Sequence, residues 1–379
     1  MTQFAASDRQ SVLLDVQHAS VVYDSAGGEV YAVNDVSFTL RRGEILGLAG
    51  ESGSGKSTLA YAIARLLRPP ARVTGGRILY YPRPRGREAE GLSPSGSSAG
   101  MFVGGESIDV LALDRKELRA FRWSELAMVF QSAMNALNPV ATIEAQIADV
   151  LRVHRPQMSK DQRRARAIEL LKLVGIAPER LKSYPHELSG GMRQRAVIAI
   201  ALALSPEIII MDEPTTALDV VIQRDILTEV MRLRQQLGFA VIFITHDLSL
   251  LLEVADEVII MYAGRIVEKA SREALYRLPL HPYTNGLLHS FPTLDGPLVR
   301  MSGIPGTPPD LRELPPGCVF APRCGQAWDL CFRARPALGN PPGGKDIDER
   351  LVACHLYDSQ QGYRSPRPET ALRGQGDEV

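Results

Sequence analysis

Apolar positions fall into short runs at the start of the chain. Residues 13–16, 32–40 and 44–49 read as strands, 57–67 carries a helical repeat, and 77–81 reads as a further strand. The pattern then breaks. Of the 19 residues from 82 to 100, 11 are Pro, Gly or Ser, and the only large aliphatic side chain is Leu92. So little apolar surface cannot offset the entropy of ordering, and a disordered surface insertion is expected there. Residues 114–126 and 143–175 return to helical spacing, with an apolar stripe of Ile147, Val150, Leu151, Ile168, Leu171 and Val174 among many charges. A helix over 189–204, an apolar strand at 208–211, a long helix over 221–237 and a buried strand at 241–245 follow. Strands alternating with helices imply an α/β domain with a mainly parallel sheet. Beyond Ala263 the periodicity weakens, residues 292–316 are rich in Pro and Gly, and the tail from Tyr357 is polar.

Composition narrows the function classes. The 379 residues are 45% hydrophobic, enough for a large core, and their length suggests two to three domains at roughly 150 residues each. Lys and Arg number 43 against 43 Asp and Glu. That balance speaks against a nucleic-acid partner, because phosphate-driven binding needs excess positive charge. The longest apolar runs are strand-sized, so this chain is not expected to span a bilayer. Residues 1–12 lack a basic cluster followed by an apolar core, so a secretory signal is not expected.

The strongest chemical signal is Gly50-Glu51-Ser52-Gly53-Ser54-Gly55-Lys56-Ser57, which fits G-x-x-x-x-G-K-[ST] between a strand and a helix. Glycines let the backbone curl until successive N–H groups face phosphate oxygens, and the helix N-terminus adds a favourable dipole. Lys56 can reach the β- and γ-phosphates, the Ser57 hydroxyl can ligate Mg²⁺, and Thr58 follows on the same helix turn. Far downstream, the apolar run 208–211 delivers Asp212 and Glu213 at a strand's C-terminal end, the edge where open parallel sheets bind ligands. Asp212 is placed to hold the Mg²⁺ shell and Glu213 to polarise an attacking water.

The spacing between these elements leaves room for an inserted unit, which contains Leu188-Ser189-Gly190-Gly191-Met192-Arg193-Gln194-Arg195. A Ser-Gly-Gly that opens a helix offers a hydroxyl and exposed N–H groups to an anion, though alone it is equally an ordinary N-cap. With this string, residues 13 to about 270 resemble the ATP-binding subunits of ABC transporters. The resemblance implies a P-loop ABC ATPase core over 13–270, with an antiparallel β subdomain and a helical subdomain at about 132–205. It implies ATP sandwiched between two such subunits, with Ser189, Gly190 and Gly191 capping the partner's γ-phosphate. In the same family pattern Tyr23 stacks on adenine, and Gln131 reaches Mg²⁺ and the γ-phosphate. Asp219 lies at the dimer interface, and His246, in Ile244-Thr245-His246-Asp247, is the switch histidine.

All four cysteines, Cys318, Cys324, Cys331 and Cys354, lie near the C-terminus. Four thiolates suit zinc or an iron–sulfur cluster equally in ligand count, and the spacing matches neither the usual zinc pairs nor the ferredoxin runs. Ala136-Leu137-Asn138-Pro139, His281-Pro282-Tyr283-Thr284, Gly317-Cys318 and Cys354-His355-Leu356 together resemble the ATPase subunits of dipeptide/oligopeptide (and nickel) ABC importers. That subfamily implies a small irregular cysteine-rich extension over 271–356, associated in some members with a [4Fe–4S] cluster, here expected as a structural staple.

The expected function is therefore the ATP-hydrolysing motor of a peptide-type importer, peripheral on the cytoplasmic face of the plasma (inner) membrane. Its implied partners are a second ATPase subunit (a paralogue or an identical copy), two transmembrane permease subunits and an extracytoplasmic substrate-binding protein. The competing expectation is a soluble, non-transport ABC ATPase whose C-terminal cluster senses redox state.

Overall fold

The computed structural model describes residues 12–83, 107–131, 136–216, 219–290, 303–342 and 350–358. The expected insertion, apart from residues 82 and 83, and the tail beyond 358 lie outside them. In chain order, β1 (Val12–Ser25), β2 (Gly28–Arg41) and β3 (Ile45–Ala49) lead into α1 (Lys56–Ile63). Next come β4 (Ala71–Tyr80), β5 (Ile108–Asp109), α2 (Arg115–Phe121) and β6 (Leu126–Val129). Three helices follow, α3 (Ile143–His154), α4 (Lys160–Leu173) and α5 (Gly190–Ala201). The chain then alternates through β7 (Ile208–Asp212), α6 (Val220–Leu237), β8 (Ala240–Ile244), α7 (Leu248–Val254) and β9 (Glu257–Tyr262). It closes with β10 (Arg265–Ser271), α8 (Arg272–Arg277), α9 (Pro282–His289), α10 (Asp329–Arg333) and β11 (Leu351–Val352).

These strands build two sheets, an antiparallel one in the order β2-β1-β4-β5 and a larger one in the order β11-β10-β9-β3-β8-β7-β6. The large sheet is parallel from β9 to its edge strand β6. Successive side chains of a strand face opposite sides, and here both sides are covered. Ile209, Met211, Val241, Phe243, Val258 and Ile260 pack with the helices into one core. Ile208, Ile210, Ile242, Ile244, Leu46 and Leu48 pack with α1 and the antiparallel sheet into the other. That double burial is why these strands read as continuous apolar runs.

The structure corrects three sequence expectations about local structure. The stretch 143–175 is two helices, because Arg155 precedes Pro156 and leaves helical geometry. Ser159 and Gln162 then form a reciprocal capping box that starts α4. The stretch 114–126 is helical only to Phe121, since Leu126 to Val129 pair in parallel with β7. The strand β10 falls beyond Ala263, where periodicity fades because Glu268 and Lys269 interrupt the apolar pattern, each buried with a partner of opposite charge.

Lys269 Nζ lies 2.9 Å from Glu257 Oε2, with both side chains largely buried. Glu268, at 0% exposure, accepts hydrogen bonds from the Leu280 N–H at 2.9 Å, the His281 N–H at 2.9 Å and the Arg350 guanidinium at 2.8 Å. Arg350 also donates to the Leu278 carbonyl, so one cation joins β10, the α8–α9 connection and the segment entering β11. Removing one partner of a buried ion pair leaves the other charge uncompensated. Arg350→Met is therefore expected to lower unfolding free energy by about 3–5 kcal/mol, measured by urea denaturation. A loss below about 1 kcal/mol would show that Glu268 finds another partner.

Candidate functional site

The functional residues gather at the C-terminal ends of β3, β7 and β8. Between β3 and α1 the loop runs through left-handed backbone at Gly50 (φ 147°), Gly53 (φ 78°) and Gly55 (φ 100°). Two of these glycines are also required by close packing. A Cβ on Gly50 would sit 2.2 Å from the Met261 carbonyl oxygen, and one on Gly55 2.1 Å from that of Ala32. Lys56 is buried, and its ammonium donates to the carbonyls of Gly50 (2.8 Å) and Glu51 (2.9 Å) and to Ser54 Oγ (3.2 Å). Burial lowers the lysine pKa, while the charges of Glu213, Asp212 and Glu51 raise it.

Ser57 Oγ donates to Asp212 Oδ1 at 2.9 Å, joining the loop's helix to the end of β7. Asp212 is fully buried, and its Oδ2 has no hydrogen-bond partner among the described residues. Burial holds its carboxyl above the usual range; the Ser57 bond pulls it down and the Glu213 charge pushes it up again. A buried carboxylate with a spare oxygen beside a serine hydroxyl is a hard, oxygen-only donor pair of the kind Mg²⁺ takes, so these residues fit the ion.

Glu213 follows with φ 46°, a left-handed conformation that costs a non-glycine residue about 1–3 kcal/mol. Its N–H donates to the Ile244 carbonyl at 2.9 Å, holding it beside the end of β8. Its carboxylate accepts from Gln131 Nε2 at 2.9 Å and Thr216 Oγ1 at 3.1 Å, and lies 3.3 Å from His246 Nδ1. Gln131 and His246 are exposed, so the cluster opens outward. Tyr23, half-buried on β1, lies with its hydroxyl 3.2 Å from Thr58 Oγ1 on α1.

The structure thus brings together Lys56, Ser57 and Asp212 as one group, Gln131, Glu213 and His246 as a second, and Tyr23 with Thr58 as a third. Ser189 and Asp219 are used differently within this chain. Ser189 Oγ caps α5 by accepting from the Met192 N–H at 3.3 Å, and Asp219 Oδ1 caps α6 by accepting from the Ile222 N–H at 2.9 Å. Gly190 is the first residue of α5, and Gly191 packs so closely that an added Cβ would lie 3.0 Å from Ile222 Cγ2. Sequence reasoning missed Thr216, whose signal was only its position three residues after Glu213. It also missed Glu51, which looked like a variable position of the loop.

The cysteines require a correction. All four thiols are free and line one small cavity with His281, Phe320 and Trp328. Among the described residues, however, no three His, Cys, Asp or Glu side chains are arranged to hold a metal ion. Burial pushes the Cys324 thiol up to about 11 and the Cys354 thiol up to about 12, and also raises that of Cys318. With no such arrangement among the described residues, the expected [4Fe–4S] cluster, and zinc with it, is not supported.

Aromatic packing between this segment and the rest of the fold does the work assigned to a staple. Phe320, 3% exposed, meets Tyr262 edge-on at 5.3 Å between centroids and Tyr283 at 5.3 Å. His281 is held neutral by burial, with its pKa down at about 3, and its Nδ1 accepts the Tyr283 N–H at 3.1 Å.

The loop geometry separates two glycines. Gly55→Ala adds a backbone clash to a strained conformation, whereas Gly53→Ala meets nothing within 4 Å and bears the strain alone. Gly53→Ala should lose about 1–3 kcal/mol, and Gly55→Ala clearly more, in thermal unfolding of the two variants side by side. Equal losses would contradict the packing described.

Comparison with known proteins agrees with this geometry. Residues 33–216 match the ABC transporter family, and residues 267–331 match the oligopeptide/dipeptide transporter C-terminal region. The chain is 41% identical over 355 residues to the oligopeptide transport ATP-binding protein OppD of Salmonella typhimurium, covering 93% of this chain and 96% of that protein. It is 42% identical over 353 residues to the dipeptide transport ATP-binding protein DppD of Bacillus subtilis, covering 92% and 96%. Among solved structures it is similar to the dimeric ATP-binding cassette MJ0796 in a post-hydrolysis state bound to ADP and Pi. There the TM-score is 0.55 and the identity 28%, covering 69% of this chain and 99% of that one. The chain belongs to the ABC transporter ATP-binding proteins, with a P-loop ABC ATPase fold and the C-terminal region of the oligopeptide/dipeptide transporters.

Proposed function

We propose that this chain is the ATP-binding and ATP-hydrolysing subunit of a peptide-type ABC importer. The observation that carries the catalytic part is the meeting of the Gly50–Ser57 loop, the Ser57–Asp212 bond and the Glu213 cluster at one sheet edge. The peptide part rests on relatives named for oligopeptide and dipeptide transport, similar to this chain over most of its length. Those similarities favour the importer reading over the soluble redox-sensing one.

In this reading residues 13–270 form the ATPase body and 271–356 an extension docked on it. The loop amides of Ser52, Gly53, Ser54 and Gly55 cradle the phosphates, and Lys56 exchanges its loop acceptors for more strongly charged phosphate oxygens. Tyr23, beside Thr58, offers a ring face to the adenine. Ser57, Asp212 and Gln131 would hold Mg²⁺, which when bound would neutralise charge on the phosphates. Glu213 orients and deprotonates the attacking water, and Gln131, Thr216 and His246 fix its carboxylate in place. His246, being exposed, is free to reach the γ-phosphate as well.

Ser189, Gly190, Gly191 and Asp219 act on the nucleotide of a second ATPase subunit, a paralogue or an identical copy. The solved relative MJ0796 is dimeric, and Val220 and Val221 next to Asp219 are 73% and 70% exposed, as suits a surface that a partner covers. No helix among the described residues is long and apolar enough to cross a membrane. Two permease subunits therefore supply the bilayer part, and a substrate-binding protein delivers the peptide. The chain associates peripherally with the inner membrane, and Val140, 81% exposed beyond Gln131, lies on the side we assign to permease contact.

Glu213→Gln preserves shape and removes the base. Steady-state hydrolysis should fall by about 10²–10⁴-fold, with ATP affinity by equilibrium binding staying within about threefold. Near-normal turnover would remove Glu213 from the role of base.

A further inference from the structure

One residue of the phosphate loop is held from outside the ATPase core. Glu51 is the loop's second position, and both its backbone and its side chain are bound by residues more than 200 positions later. Its N–H donates to Tyr283 Oη at 2.8 Å, across a separation of 232 residues. Its carboxylate takes a two-pronged pair from the Arg323 guanidinium, at 2.7 Å and 3.0 Å, across 272 residues. Arg323 is itself fixed and only 8% exposed. Its Nε donates to the Pro305 carbonyl at 2.8 Å, and its terminal nitrogens to Tyr262 Oη at 3.2 Å and the Ile304 carbonyl at 3.3 Å. The Tyr262 and Phe320 rings lie 5.8 Å and 6.0 Å from the guanidinium carbon.

The same Glu51 accepts Lys56 Nζ at its carbonyl, so the tether runs from the C-terminal segment through Glu51 to the phosphate-binding lysine. On the other side of Glu51 the tip of the loop is open, since an added Cβ on Gly53 would meet nothing within 4 Å, and the next anchor is Ser54, whose carbonyl accepts the Gly264 N–H at 3.1 Å. A loop fixed beforehand in its binding shape loses less entropy when ligand arrives, and so binds more tightly. A fork-on-carboxylate pair is suited to such fixing because it restrains orientation as well as distance.

We infer that Arg323 and Tyr283 are positioning residues for nucleotide binding, bracing the P-loop through Glu51 without touching the nucleotide. Affinity of the loop for Mg-ATP then depends on docking of the C-terminal segment. The inference rests on the proposed reading that this loop is the nucleotide site, and Lys56→Ala tests that reading separately.

The test uses full-length Arg323→Met, Tyr283→Phe and Glu51→Gln, the double variant Glu51→Gln/Arg323→Met, and Lys56→Ala. Equilibrium binding of Mg-ATP and steady-state hydrolysis are measured on each. Arg323→Met should raise Kd and KM about tenfold, as expected for loss of a charge-assisted pair, and leave kcat within about twofold. Tyr283→Phe should raise KM about threefold, and the double variant should match Arg323→Met because the two residues act through one bond. Arg323→Lys, which keeps the charge but not the fork, should recover part of the affinity.

Wild-type KM in Arg323→Met, or fully additive effects in the double variant, would overturn the brace. If Arg323→Met does not fold, wild-type KM in both Tyr283→Phe and Glu51→Gln overturns it equally. Lys56→Ala that still binds Mg-ATP with wild-type affinity would overturn the site assignment and the brace with it.

Discussion

A carboxylate buried to zero exposure, with one oxygen on a serine hydroxyl and the other without a partner among the described residues, is the feature around which the site is organised. Asp212 ends β7 between two apolar cores, where a charged group is costly unless it is compensated. Ser57 supplies part of the compensation and fixes α1 against the sheet. The other oxygen is left for a divalent cation, which would complete the shell and favour the ionised carboxylate that burial alone disfavours. The glycine-rich turn, the strand order and the chain reversal after β7 all serve to bring those two oxygens next to the loop.

The reacting groups are graded by exposure from that point outward. Lys56 and Asp212 are buried, Glu213 is half-buried, and Gln131 and His246 face solvent. The buried groups keep their geometry whatever docks on the surface, while the outer groups are placed to respond to a partner. Ser189 and Asp219, which begin α5 and α6, are both exposed residues at the surface. A site that is firm on one side and open on the other suits an ATPase that closes against a second subunit. The C-terminal segment adds a further fixed point at the loop's base, through Arg323 and Tyr283.

Features written in local pattern were legible in the sequence. The phosphate loop, the Asp-Glu pair after an apolar strand and the Thr-His-Asp string each lie within eight consecutive residues, and the apolar strands that position them are continuous. Pairings across long sequence distances were not legible. Glu51 with Arg323 and Glu268 with Arg350 look like ordinary surface charges until folding buries them together. The same kind of burial broke the apolar period in β10 and hid that strand. The cysteines misled for a related reason. Clustering in sequence suggested ligands, whereas among the described residues the fold arranges no three of them to hold a metal ion and sets them beside an aromatic group that holds the segment.

The claim that Ser57 and Asp212 together hold the cation is tested most directly with Mn²⁺ in place of Mg²⁺. Electron paramagnetic resonance of the protein with ATP should report one tightly bound Mn²⁺ per chain. Asp212→Asn should weaken that binding by at least about tenfold, the loss of one charged ligand, while metal-free ATP binding persists. Unchanged Mn²⁺ affinity in Asp212→Asn would contradict the account.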